Sequence, residues 1–263
     1  MNSLWENDTE KKEFPCLTGD RKTDTVVIGG GMAGILTAYY LKQEGVPVMV
    51  LEADRVGNGQ TGRTTAKITS QHNLIYDKLL RVFGKEMTMH YARANEKAID
   101  AYEQLIKLEN IDCDFERCSS VLFSRKAEEA LKAEIKAAKQ LGLPVRYKNR
   151  TELPFSVEGA LEFQNQARFQ PLHFLYHLAE QLPVYEKTRV LRVEGNIVET
   201  DQGMVEAKNI VFATHYPFVN VPGYFFATEK DNRICNEGIG SPQPRDDSWD
   251  GKTADSCSKK KGQ

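Results

Sequence analysis

Residues Gly29-Gly30-Gly31-Met32-Ala33-Gly34 have the spacing G-x-G-x-x-G. The chemistry such a run suits is recognition of a diphosphate. One glycine permits a tight turn, a second lets the backbone approach the phosphates, and a third lets a helix pack closely on a strand. The diphosphate then rests on free N–H groups at the positive end of a helix dipole. Glu52 follows about 20 residues later, where a carboxylate accepts hydrogen bonds from a ribose diol. A second run, Gly57 to Lys67 (GNGQTGRTTAK), offers hydroxyls and backbone donors that could line a long cofactor, or simply a flexible surface loop. Near the end of the apolar part, Asn209 to Ala213 reads as a strand that runs into Thr214 and His215.

These residues need particular elements to hold them. Thr25-Val-Val-Ile28 is β-branched throughout, as expected of a strand buried on both faces of a parallel sheet. Met32 to Gln43 has helical spacing (Ile35, Ala38, Tyr39) and stops before Gly45, and Pro47 to Leu51 is a second buried strand. Strand, glycines, helix, strand and acid in that order make a β-α-β unit of roughly 30 residues. Helical patterns then cover 74–82, 86–109, 126–141 and a segment from Pro171 to Gln181. Strands are expected at 114–124, 145–148, 159–163, 188–194, 197–200 and 204–213. The pattern leaves open whether the last strand returns to the nucleotide sheet or belongs to another.

Composition removes several classes. With 40% apolar and 27% charged residues, the 263-residue chain reads as globular. A formal net charge of −2 supplies no basic stripe for nucleic acid. Five scattered cysteines (Cys16, Cys113, Cys118, Cys235, Cys257) without C-x-x-C point to a reducing, cytoplasmic setting. The five histidines have no metal-ligand spacing with cysteine, so no metal site is expected. The apolar window 25–41 is broken by glycines, so no transmembrane segment is expected. From Glu229 to Gln263 there is no Leu, Val, Phe, Met or Tyr, and this tail is expected not to fold.

Residues 15 to 228 resemble the glycine oxidase and D-amino-acid oxidase-like family of FAD-dependent oxidoreductases. The resemblance is carried by Gly29 to Gly34, Glu52, the Gly57 to Lys67 loop, Gln170-Pro171-Leu172 and Ala213-Thr214. The arm Pro15-Cys-Leu17-Thr-Gly19-Asp20 is similar to a bacterial subgroup that often carries a C-terminal Rieske domain. The resemblance implies an α/β fold: a Rossmann-type, glutathione-reductase-like FAD-binding domain with an inserted α+β substrate domain, incomplete at its C-terminus. The expected boundaries are an arm over 1–23, the FAD domain over 24–85 and 184–228, the insertion over 86–183, and a tail over 229–263. Contacts to FAD are implied for Gly29, Gly30, Gly31, Met32, Ala33, Gly34, Glu52, Ala53 and Arg55. They are also implied for Gly59, Gln60, Thr61, Gly62, Thr64, Thr65, Ala66, Val190, Ala213 and Thr214. His215 stands where many relatives have glycine.

The implied activity is oxidation of an amino acid or amine at a C–N bond, with hydride passing to flavin N5 and no demanded acid or base. The small-molecule substrate and the oligomeric state stay open. The family's closing glycine segment and a Rieske C-x-H pattern are not recognisable after Ala227. A shifted reading frame, a short paralogue and a mosaic gene each account for that. The alternatives in function are a catalytically incomplete FAD-binding fragment and an NAD-binding Rossmann protein.

Overall fold

The computed structural model describes residues 3–126, 128–216, 218 and 252–254. In chain order the elements are α1 (Leu4–Asn7), β1 (Arg21–Ile28), α2 (Met32–Gln43), β2 (Val48–Leu51), a 3₁₀ turn (Thr61–Arg63) and β3 (Lys67–Ile68). There follow α3 (Tyr76–Leu108), β4 (Glu116–Ser124), α4 (Glu128–Gln140), β5 (Val145–Lys148), β6 (Gly159–Arg168) and α5 (Pro171–Ala179). The last are β7 (Val184–Tyr185), β8 (Val190–Glu194), β9 (Ile197–Thr200), β10 (Gly203–Phe212) and β11 (Lys252–Ala254). They fall into two compact units.

The described residues of the first unit lie within Met1–Thr65, Ile111–Cys113 and Gln170–Gly240. Its sheet has the order β7-β2-β1-β10-β9-β8. β1 pairs in parallel with β2 on one side and β10 on the other, and this explains its unbroken apolar end: Thr25, Val26, Val27 and Ile28 are all buried. β10 therefore returns to the nucleotide sheet, the pairing that pattern alone left open, and Ala213 N continues it by donating to Ile28 O at 2.9 Å. β1 begins at Arg21, four residues before the β-branched run, because Val205–Ala207 of β10 extends the ladder beside it. The sequence reading missed β7, which is only two residues long but closes the far edge against Val50 and Leu51. Helix α2 buries Gly34, Ile35, Ala38 and Tyr39, a stripe of period three to four.

The second unit has described residues within Ala66–Asn110, Asp114–Phe169 and Ser241–Gln263. Its sheet runs β11-β4-β6-β3, with β5 on β6, and every pairing in it is antiparallel. β6 extends to Arg168, five residues beyond the expected strand, because β4 pairs along its whole length. The helices expected over 74–82 and 86–109 are both present within α3, one on either side of a break at Gly84, whose φ of 73° only glycine adopts at low cost. Lys252–Ala254, inside the stretch expected not to fold, pairs with Val121–Phe123, and the remainder of that stretch lies outside the described residues. Tyr76 stacks on Phe163 at 6.2 Å within a core that includes Leu122, Leu131 and Leu161.

One buried acid organises this unit. Glu134 of α4 is fully buried, and its carboxylate accepts the backbone N–H of Ile75 (3.0 Å), Tyr76 (2.8 Å) and Asp77 (2.9 Å) at the start of α3. Burial pushes its pKa up, against the pull of the three donors. Glu134→Ala removes all three acceptor contacts, so it should cost about 2–4 kcal/mol in urea-induced unfolding. Glu134→Gln, which keeps one acceptor oxygen, should cost less.

Candidate dinucleotide site

The site in the first unit begins at the turn from β1 into α2. Gly29 has φ of 116° and donates its N–H to Leu51 O at 2.8 Å. A β-carbon there would lie 2.7 Å from Ala213 O. At Gly34 it would lie 1.9 Å from Gly29 O, so the helix crosses its own strand at a distance no side chain permits. Gly31 is different. It is the N-cap of α2 in an extended conformation (φ −83°), and a β-carbon would meet only Thr61 Oγ1, at an ordinary 3.5 Å. Protein packing requires glycine at 29 and 34 but not at 31. The helix end is also accessible: Gly31 and Met32 are half-buried and Ala33 is exposed.

Glu52 leaves β2 beside this turn. Its carboxylate accepts Gly30 N at 2.6 Å and Asp54 N at 2.9 Å. A carboxylate offers about four lone-pair positions, so acceptor capacity remains for hydroxyls. Its backbone accepts Thr188 N and donates to Tyr185 O, which ties the acid to the segment leading into β8. Ala53 is exposed, Val190 is half-buried at the start of β8 opposite Thr200, and Arg55 donates to Glu13 at 2.9 Å. That carboxylate holds the Arg55 pKa above its usual value.

The threonine-rich loop is attached to the glycine turn at two points. Gly57 N donates to Gly30 O (3.1 Å), and Thr61 Oγ1 accepts Met32 N (3.1 Å), the first amide of α2. Gly62 N then donates to Gly57 O (2.8 Å), and a β-carbon at Gly62 would meet that same oxygen. Gly59, Gln60, Thr64 and Thr65 are exposed. Ala213 and Thr214 follow β10 and are half-buried, with Ala213 O against Gly29. Ala66 belongs to the second unit, where it is buried with φ of 56°. The structure thus brings the glycines, Glu52, Thr61 and Ala213 to one end of β1, while Val190 lies at the start of the edge strand β8 and Arg55 is turned to Glu13.

Sequence reasoning missed one polar anchor of this unit, Glu186, and named Gln170 without its role. Glu186 is buried and accepts Val56 N at 2.7 Å and Phe14 N at 3.3 Å; nothing in its neighbourhood marks it. Gln170 is buried and caps α5 through Leu172 N at 2.8 Å, a role the following proline could have signalled. Among the described residues no cluster of three or more His, Cys, Asp or Glu could hold a metal ion, and no helix is long and apolar enough to cross a membrane.

A mixed sheet whose parallel part, β7-β2-β1-β10, has β1 turning through glycines into a helix, with an acid ending the next strand, defines a dinucleotide-binding α/β protein. The chain belongs to the DAO family, FAD dependent oxidoreductase, whose model matches residues 24–253. It is 32% identical over 242 residues to a protein of Bacillus subtilis (strain 168) named as a Rieske 2Fe-2S iron-sulfur protein, YhfW, covering 88% of this chain and 48% of that one. It is 26% identical over 215 residues to the gamma-glutamylputrescine oxidoreductase of Escherichia coli (strain K12), covering 76% and 50%. The fold matches glycine oxidase from Geobacillus kaustophilus with a TM-score of 0.60 at 18% identity, covering 74% and 55%. The chain spans about half the length of these curated relatives.

The Glu52 clamp makes a direct prediction. Glu52→Ala leaves Gly30 N and Asp54 N without their acceptor and should lower unfolding free energy by about 1–3 kcal/mol. Glu52→Gln, which keeps one acceptor oxygen, should lose less when the two are compared by denaturant titration.

Proposed function

We propose that this chain holds FAD along the end of β1, in an oxidoreductase that oxidises an amino acid or amine at a C–N bond. The observation that carries the cofactor assignment is Gly31. It is the one glycine of the turn with no close neighbour to explain it, and it sits where α2 opens. A diphosphate laid against that helix end accounts for the missing side chain, and the residues present fit it. In this reading Gly30, Gly31, Met32 and Ala33 face the diphosphate, and Gly29 and Gly34 give the tight turn and close helix packing that bring them there. Glu52, with Ala53 and Arg55 beside it, takes the adenosine ribose, and the backbone at Val190 meets the adenine. Thr61, Gly62, Thr64 and Thr65, with Gly59 and Gln60, border the remainder of the cofactor. Ala213 and Thr214 close the turn from the other side.

When bound, flavin would supply the redox chemistry that oxidises the substrate C–N bond. The chain's own contribution is positional. The Glu52 carboxylate fixes Gly30, Thr61 fixes the first amide of α2, and Gly57 N joins the loop to the turn. One of the curated relatives, the gamma-glutamylputrescine oxidoreductase, supports an amine substrate class. A second reading is FAD binding without turnover by this chain alone.

Gly31→Val tests the assignment. Its backbone conformation suits any residue and its β-carbon clashes with nothing, so the variant should fold with an unchanged circular dichroism spectrum. FAD content after purification should fall by at least about tenfold, because the side chain occupies the place of the diphosphate. Undiminished FAD content in a folded variant would contradict the reading. Anaerobic bleaching of the wild-type flavin by amines separates the two functional readings: bleaching supports the oxidoreductase, and retained flavin that no amine bleaches supports binding alone.

A further inference from the structure

Residues 3–14 carry a capping box, Ser3 to Glu6, but no ligand-binding motif, yet they reach the threonine-rich loop. Trp5 Nε1 donates to Thr64 O at 2.7 Å, across 59 residues of sequence. Gln170 holds the other side of the arm: its Nε2 donates to Thr9 Oγ1 at 2.5 Å and to Trp5 O at 3.4 Å, while its Oε1 caps α5. α5 in turn packs against the loop, because a β-carbon on Gly57 would lie 2.8 Å from Leu172 and 2.9 Å from Leu175. Glu13 pairs with Arg55 and Phe14 N reaches the buried Glu186, whose other oxygen holds Val56 N. Arm, helix and loop are therefore one polar network on a single unit.

The hold is of a particular kind. α1 buries no residue, and Leu4 is 52% exposed. The arm is fastened by hydrogen bonds and exposed ion pairs rather than by an apolar core, so it can be released without unfolding the sheet. From this geometry we infer that the arm is a strap that fixes the Gly57–Thr65 loop, with Trp5 and Gln170 as positioning residues. Resting on the FAD reading above, the strap slows release of flavin by keeping that loop against the glycine turn.

Hydrogen exchange on the whole chain, without added flavin, tests the strap apart from the cofactor. The probes are the Gly62 and Arg63 amides, which bond within the loop to Gly57 O and Gln60 O. Trp5→Phe keeps the ring and loses the N–H; Thr9→Val loses the hydroxyl that receives Gln170. Each should speed exchange at Gly62 and Arg63 roughly 2- to 10-fold, the range one lost hydrogen bond allows. Amides of β1 and α2 should be unchanged. Unchanged exchange in the loop, or acceleration spread evenly over the unit, overturns the inference. The second measurement is FAD dissociation by stopped-flow dilution, where Trp5→Phe should release flavin faster by a similar factor. A faster loop with unaltered FAD release overturns the role toward the cofactor. If the wild-type chain binds no FAD, the proposed function fails, and the exchange result alone decides the strap.

Discussion

The crossing of α2 over the end of β1 leaves no room for a β-carbon at Gly34, which would sit 1.9 Å from Gly29 O. The contact sets how close the helix comes to the strand, and with it where the first amides of α2 are aimed. Gly29 must then take a positive φ to complete the turn, with Ala213 O packed against it from β10. Those two requirements lock the positions of strand, helix and return strand together. The opening at Gly31 exists because its neighbours on either side are fixed by the chain itself.

Around that turn the protein spends its polar groups on holding backbone. Glu52 takes two amides, Glu186 takes two, and Thr61 takes the first amide of α2. Each bond is modest by itself, of the order of 1 kcal/mol net, but leaving any one of these amides unmet would cost more. Such groups pre-form a ligand site before the ligand arrives, which limits what binding must spend on ordering. Glu134 does the equivalent work in the second unit, where one carboxylate serves three amides at the start of α3.

The local parts of the site were legible in the sequence because their determinants are local. A β-branched run, glycines at fixed spacing, a periodic helix and a terminal acid all lie between Thr25 and Glu52 and interact with their near neighbours. Partners far along the chain were not legible. Strand β10 was readable as a strand, but nothing in Asn209–Phe212 says that it pairs with Thr25–Ile28. β7 is too short to carry a period. The Trp5 bond to Thr64 and the Glu186 bond to Val56 span 59 and 130 residues, and a side chain's type alone does not announce such a partner.

The central claim is that the α2 end beside Gly31 is built for the diphosphate of FAD. Titrating the purified chain, freed of any retained flavin, with FAD and then with FMN tests it most directly, read by quenching of flavin fluorescence. The account predicts saturable binding of FAD and much weaker binding of FMN, which lacks the diphosphate and adenosine that the turn and Glu52 would hold. Equal affinity for the two, or no binding of FAD by a folded chain, would contradict it.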